Sequence, residues 1–197
     1  MPLSVFYILS TSILLNLILG VIILSNNIRN KINILFGLFS IGTILWNFAI
    51  LGFFFIKLPE GIAHSFWINL SHFSAAFIAL IFINFCTYFP QPLISCKNKN
   101  KLISIISAIP FLIIFYFLSF SNLIIGEVNK IAYELGSLYI PYTLYLSSCF
   151  LLGLIILIVQ YKKSKENIQK TQIKYVLVGT VLPLILATIT DAILPYL

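Results

Sequence analysis

Residues 63–90 read AHSFWINLSHFSAAFIALIFINFCTYFP, and this run is long and apolar enough to cross a bilayer, which takes about 20 residues. Polar side chains are costly in hydrocarbon, so those present face other helices or water. Small residues let neighbouring helices approach closely. Because the run contains both kinds, we predict a helix in the middle of a bundle. Its polar members are His64, Asn69, His72 and Asn84, and its small ones Ser71, Ser74, Ala75, Ala76 and Ala79.

The composition excludes a soluble globular domain. Of the 197 residues, 60% are hydrophobic and only 9% are charged, and the mean hydropathy is +1.07. Soluble domains use about 45–50% apolar residues, so this chain has too little polar surface to cover a globule. The net charge of +7 lies in short gaps between apolar runs rather than on one face. A membrane-topology signal explains that pattern better than nucleic-acid binding does.

Six apolar runs predict an all-α integral membrane protein, a polytopic helix bundle in one domain covering residues 1–197. The predicted spans are 3–24, 32–55, 63–89, 102–120, 138–161 and 172–196. Pro110 lies inside the fourth span and would kink it, because proline removes a backbone hydrogen bond. Residues 121–137 form the longest polar connection, which carries Glu127, Lys130 and Glu134.

The basic residues predict the topology. Ten of the twelve lie in the odd-numbered connections, 25–31, 90–101 and 162–174, and only Lys57 and Lys130 do not. The positive-inside rule places the odd connections in the cytoplasm and the N-terminus outside the cell (inner) membrane. Six spans then return the chain to the outside, so we expect a seventh span to be missing after Leu197.

No pattern typical of a catalytic, cofactor or metal site is present. The sequence has no Walker loop, no G-x-G-x-x-G, no H-E-x-x-H and no G-x-S-x-G. Neither His64 nor His72 has an acidic neighbour at helical spacing, and Cys86, Cys96 and Cys149 are too scattered for zinc or a disulfide framework. We therefore predict no enzymatic activity in this chain, no cofactor and free thiols.

Polar and aromatic residues in the outer halves of three predicted spans form a candidate ligand site. His72 lies about 9 residues into its span, so ~14 Å deep and near the midplane. The connection 121–137 would cover the pocket. The predicted ligand-binding residues are Trp46, Asn47, His64, Trp67, Asn69, His72 and Asp191.

Each of these residues also has a structural interpretation. Trp67 fits an aromatic belt at the membrane surface, and Asn69 and Asn84 fit hydrogen bonds between helices. His72 fits packing as well as function, and Asp191 is close enough to the predicted surface to be solvated. The lysines of 162–174 fit a topology signal that also attracts anionic lipid.

Several motifs carry a resemblance to a known family. They are the Leu45–Trp46 pair, the sequence FINFCTYFP at 82–90, the basic fifth connection, and QIKYVLVG at 172–179. With an outside N-terminus, this order resembles the N-terminal seven-transmembrane region of bacterial sensor histidine kinases. The resemblance covers nearly the whole chain, which departs from the family in showing six spans and no output domain.

The resemblance implies a sensory input domain in bacterial signal transduction. It would pass an extracellular or membrane stimulus to a cytoplasmic output, such as a kinase or a diguanylate cyclase. Its partners would be the lipid bilayer, a small-molecule or lipid ligand, that output domain and a second copy in a homodimer.

Two other classes stay open from the residues. A small multi-pass transporter or accessory subunit would favour broken helices near the midplane, for which Pro110 and Pro183 are the candidates. A membrane enzyme acting on lipid would need an interfacial cluster, which only His64 with Asp191 could supply.

Overall fold

The computed structural model describes residues 3–56, 63–90, 97–120, 123–128 and 133–187. These residues form six α-helices and one short hairpin. The helices are α1 (Leu3–Asn26), α2 (Lys31–Phe55), α3 (Ala63–Tyr88), α4 (Lys97–Phe120), α5 (Tyr139–Lys163) and α6 (Asn167–Ala187), and the strands are β1 (Ile125–Val128) and β2 (Tyr133–Leu135). The predicted all-α membrane bundle is confirmed, since α1, α2, α3 and α5 are each long and apolar enough to cross a membrane.

Polar residues set the helix ends. Asn30 precedes α2, and its side-chain oxygen accepts a hydrogen bond from the Ile32 amide at 2.9 Å, which satisfies a donor that the first turn leaves open. At the end of α5, the amide and the hydroxyl of Ser164 both donate to the Gln160 carbonyl, at 2.8 and 2.9 Å. α2 therefore begins, and α5 ends, at the polar connections that the sequence indicates.

Two helices begin earlier than the apolar runs suggest. The predicted spans began at residues 102 and 172, but α4 begins at Lys97 and α6 at Asn167. Lysine and glutamine are good helix formers, so a helix continues through them beyond the apolar segment. The connection predicted at 162–174 is therefore mostly helical, and only Ser164–Glu166 separate α5 from α6. The last part of the predicted sixth span, 188–196, lies outside the described residues.

The helix α3 lies in the middle of the bundle, as the sequence predicts. It packs against α2, α4 and α5, whereas α1 packs on α2, and α6 packs on α5. Glycines permit close approach in this arrangement: Gly52 of α2 lies directly against the Trp67 ring of α3. α3 therefore shares contacts with three other helices.

The two ends of the bundle differ. At one end the start of α1 meets the end of α2, where the Phe6 and Phe55 rings lie 5.1 Å apart. The β-hairpin packs at this end, which we call the hairpin end. At the other end the Lys31 ammonium lies 3.5 Å from the Tyr88 hydroxyl and 4.8 Å from its ring centre. We call this the basic end, because the connections α1–α2 and α5–α6 with their lysines and Arg29 lie there.

Within 121–137, predicted as the longest polar connection, the described residues include a short hairpin. β1 and β2 pair antiparallel, with Ile125 opposite Leu135 and Val128 opposite Tyr133. Ile124 and Ile125 are only 2% and 4% exposed, so the segment contributes to the hydrophobic core. Although the segment is mostly polar, these two adjacent isoleucines pack inside the bundle.

The outward surfaces of the bundle are apolar over most of their length. Such a surface in water would cause aggregation, but it matches the hydrocarbon of a bilayer. Exposed apolar residues on α1, α4 and α5 include Leu14, Leu17, Ile18, Ile106, Ile109, Ile113, Leu144, Leu151 and Ile155.

Candidate functional site

His72 lies against two tyrosines that open α5. Its ring centre is 5.4 Å from that of Tyr142 and 6.2 Å from that of Tyr139. The Tyr142 hydroxyl donates a hydrogen bond to the His72 backbone carbonyl at 2.9 Å. Since that carbonyl belongs to α3, the bond joins α3 to α5 at the hairpin end, beside an ionisable ring.

The hydrogen bonding of His72 defines the chemistry of its ring. Nδ1 lies 2.8 Å from the Ile68 carbonyl oxygen, which can only accept, so Nδ1 carries the hydrogen in this contact. The Ser71 hydroxyl donates to the same carbonyl at 2.8 Å. In the neutral ring Nε2 is then the acceptor nitrogen.

The hairpin covers this contact from the end of the bundle. Ile124 and Ile125 pack in one apolar cluster with Ile68, Tyr139 and Tyr142. The segment is fastened to the start of α5 by two backbone bonds, from Gly136 to Ile124 at 2.9 Å and from Leu138 to Leu123 at 2.7 Å. His72, the two tyrosines and the two isoleucines thus form a compact site, which we call the capped site.

Gly136 permits the close approach of the end of the hairpin to the backbone of Leu123. A Cβ atom at this position would collide with the backbone carbonyl of Leu123, and backbone cannot move aside as a flexible side chain can. Glycine therefore lets the end of the hairpin pass directly against the segment before β1.

Asn47 and Trp67 lie on another side of the bundle. Asn47 is 3% exposed and donates to the Ser12 hydroxyl of α1 at 3.2 Å and to the Thr43 carbonyl at 2.9 Å. Trp67 is 6% exposed and packs on Gly52 of α2, so α2 covers its ring. These two predicted site residues face α1 and α2, whereas His72 faces α5.

The structure describes less about the other predicted site residues. Trp46 and Asn69 are half-buried on α2 and α3. His64 belongs to the first turn of α3, but its side chain is outside the described part, and Asp191 lies wholly outside the described residues. Of the predicted set, the structure brings His72 into the capped site and gives Asn47 and Trp67 separate partners.

The sequence interpretation missed Tyr139 and Tyr142. Their spacing could have indicated a shared site, because two aromatic residues three positions apart at the start of a span lie on one helical face. They were not distinguishable from an aromatic belt without knowing which helix they meet.

A polar cluster joins α3 to α4 toward the basic end. The Asn84 side chain donates to the Ser107 hydroxyl at 3.3 Å and accepts a hydrogen bond from the Ser104 hydroxyl. The Tyr145 hydroxyl of α5 lies 3.5 Å from the Ser107 carbonyl. Asn84 therefore makes the interhelical hydrogen bonds that its position in an apolar span suggests.

The contact of α3 with α5 continues from the capped site to the basic end. Cys149 packs with Ala79 and Ile83, and Gly153 lies against the Phe82 ring. Near the basic end the Gln160 side-chain amide donates to the Cys86 carbonyl at 3.0 Å. We call this continuous contact the α3–α5 seam.

Among the residues that the structure describes, no three His, Cys, Asp or Glu side chains come together as metal ligands. The chemistry of the capped site is that of one imidazole, phenol rings and aliphatic side chains, which suits recognition of a ligand by stacking and hydrogen bonds.

The fold is that of a multi-pass helical membrane protein, with the capped site at one end of the bundle. A family described as the N-terminal 7TM region of histidine kinase matches residues 8–196. The chain belongs to this family and is a membrane sensory input region, so the family supports sensing rather than transport. No curated protein and no solved structure matches the chain.

Proposed function

We propose that the region receives its stimulus at the capped site and passes it along the α3–α5 seam to the connection between α5 and α6. The observation that carries this proposal is the 2.9 Å hydrogen bond from Tyr142 to the His72 carbonyl, beneath the buried isoleucines of the hairpin. A ligand or a membrane property that favours one arrangement of this contact would shift the bundle between two states.

The seam supports the proposed direction of the signal. It is continuous from His72 and Tyr142 to Cys86 and Gln160, and Ser164, which bonds the Gln160 carbonyl, begins the three-residue link to α6. Packed interiors deform little, so a shift of α5 at one end is transmitted to the other. The output would be a cytoplasmic signalling domain of the kinase or cyclase kind, acting as a homodimer.

The site chemistry favours a small molecule or lipid with an aromatic or aliphatic body. Tyr139 and Tyr142 supply aromatic rings, Ile124 and Ile125 supply aliphatic side chains, and His72 supplies an imidazole ring. Trp46, Asn47, Trp67 and Asn69 are a second candidate set on α2 and α3, with His64 and Asp191 as the remaining predicted members.

The proposed orientation places the hairpin end outside the cell membrane of a bacterium and the basic end in the cytoplasm. The lysines and Arg29 at the basic end support it by the positive-inside rule. A stimulus from outside then meets the capped site first.

Substituted-cysteine labelling of intact cells tests this orientation. Ser137 lies exposed at the hairpin end, and Lys165 lies exposed at the basic end. A membrane-impermeant maleimide should label Ser137→Cys in intact cells and Lys165→Cys only after lysis, with the wild type giving the background from its own cysteines. Labelling of Lys165→Cys alone in intact cells would overturn the proposed sensing from outside.

A further inference from the structure

The end of α5 and the beginning of α6 carry a concentration of positive charge. Lys162, Lys163, Lys165 and Lys174 are exposed and Lys170 is half-buried; we call these five the basic corner. None of their ammonium groups forms an ion pair in the part of the chain that the structure describes. The nearby acid, Glu166, accepts a hydrogen bond from the Gln169 side chain at 2.7 Å.

The basic corner is bordered by exposed apolar and aromatic side chains. Ile168 and Tyr175 are 73% and 75% exposed and lie seven residues apart, on the same face of α6. Ile173, on the opposite face, is fully buried against α5 and α3 and holds α6 in place. Tyr161, at the end of α5, is 40% exposed. The outward face therefore combines ammonium groups with rings and an aliphatic side chain.

This combination matches the boundary between lipid headgroups and acyl chains. Tyrosine is enriched at that level, and lysine keeps its ammonium group in the headgroup layer while its stem covers apolar surface. Lysines near an anionic membrane surface are attracted to it electrostatically. A free phosphate would use the lysines but not Ile168 and Tyr175.

We propose that the basic corner is a binding site for the headgroup of an anionic phospholipid. The phosphate would accept hydrogen bonds from lysines of both helices and from Lys165 in the link between them, and the start of the acyl chains would lie along the exposed face of α6. Because only Ser164–Glu166 link the two helices, a lipid held by both would stabilise their junction. The site is independent of where the stimulus is detected.

Thermal unfolding in phosphatidylcholine nanodiscs, with and without added phosphatidylglycerol, tests the proposal. Phosphatidylglycerol should raise the Tm of the wild type, and Lys165→Gln/Lys174→Gln should lose most of that increase. Arg29→Gln/Lys31→Gln is the matched control, because it removes the same charge from the α1–α2 connection and should keep the increase. Lys165→Arg/Lys174→Arg should also keep it, since the charges remain.

Three results would overturn the proposal. Equal loss of the Tm increase in both glutamine pairs would show general attraction to the membrane surface rather than a site. An equal increase on adding inorganic phosphate to pure phosphatidylcholine discs would show a phosphate site. An unchanged increase in Lys165→Gln/Lys174→Gln would remove the basic corner from lipid binding. The comparison is made within each variant, so a shift in its baseline Tm does not affect it.

Discussion

Gly153 determines how closely α5 approaches α3. A Cβ atom here would lie 2.5 Å from the Phe82 ring and 3.3 Å from the Cys86 sulfur. Both neighbours belong to a buried cluster, so the added methyl group has no free volume to enter.

Gly153→Ala should therefore lower the free energy of unfolding by about 1–3 kcal/mol, the usual range for overpacking a core. Gly179→Ala on α6 is the control, because among the described residues no atom lies within 4 Å of its Cβ position. The control should leave the stability unchanged or slightly raise it, since alanine is the better helix former. Thermal unfolding in one detergent compares the two, and equal Tm values for Gly153→Ala and wild type would contradict close packing at the seam.

The sequence identified the polar residues inside the predicted spans, but it could not show which helix each of them contacts. Trp67 and His72 are five residues apart, so their side chains differ by about 140° around α3. One consequently meets α2 and the other α5. Only the order of helices around α3, which depends on packing over the whole chain, decides which polar residues can share a site.

At the scale of elements, α4 is joined to α3 by the Asn84 side chain. Its two partners, Ser104 and Ser107, lie one helical turn apart, on the side of α4 that precedes Pro110. Proline removes one backbone hydrogen bond from α4 at that point, which leaves the helix dependent on contacts with its neighbours.

Asn84→Leu keeps the branched shape and the number of side-chain non-hydrogen atoms and removes both bonds, at about 1 kcal/mol for each interhelical bond in a membrane bundle. We expect a lower Tm and faster hydrogen exchange in α4. Asn16→Leu is the control, because the Asn16 side chain bonds the Ser12 carbonyl of its own helix at 2.9 Å. If both variants change α4 equally, Asn84 does not specifically hold α4.

The helices were predictable, and the hairpin was not. Long apolar runs separated by charged residues require helices in hydrocarbon, because each backbone group must be satisfied within its own segment. The hairpin instead depends on Ile124 and Ile125 entering a cluster with α3, α4 and α5. A four-residue and a three-residue strand have no pattern strong enough to predict them in a polar segment.

At the scale of the whole molecule, the central position of α3 followed from its small and polar residues. The helix pairs with extensive contacts are adjacent in sequence, except for α3 and α5. The α3–α5 seam extends from the hairpin end to the basic end and so connects the two ends of the bundle. The expectation of a seventh span beyond Leu197 concerns sequence outside this chain and stays a prediction.

Hydrogen exchange of Tyr142→Phe in nanodiscs tests the proposed coupling along the seam most directly. The substitution keeps the ring and removes the hydroxyl that donates to the His72 carbonyl. We expect faster exchange at the start of α5 and also in the first two turns of α6, at the far end of the seam. Tyr7→Phe, on an exposed position of α1, should leave both segments as in the wild type. A change confined to the start of α5, with α6 unaffected, would contradict transmission from the capped site to the basic end.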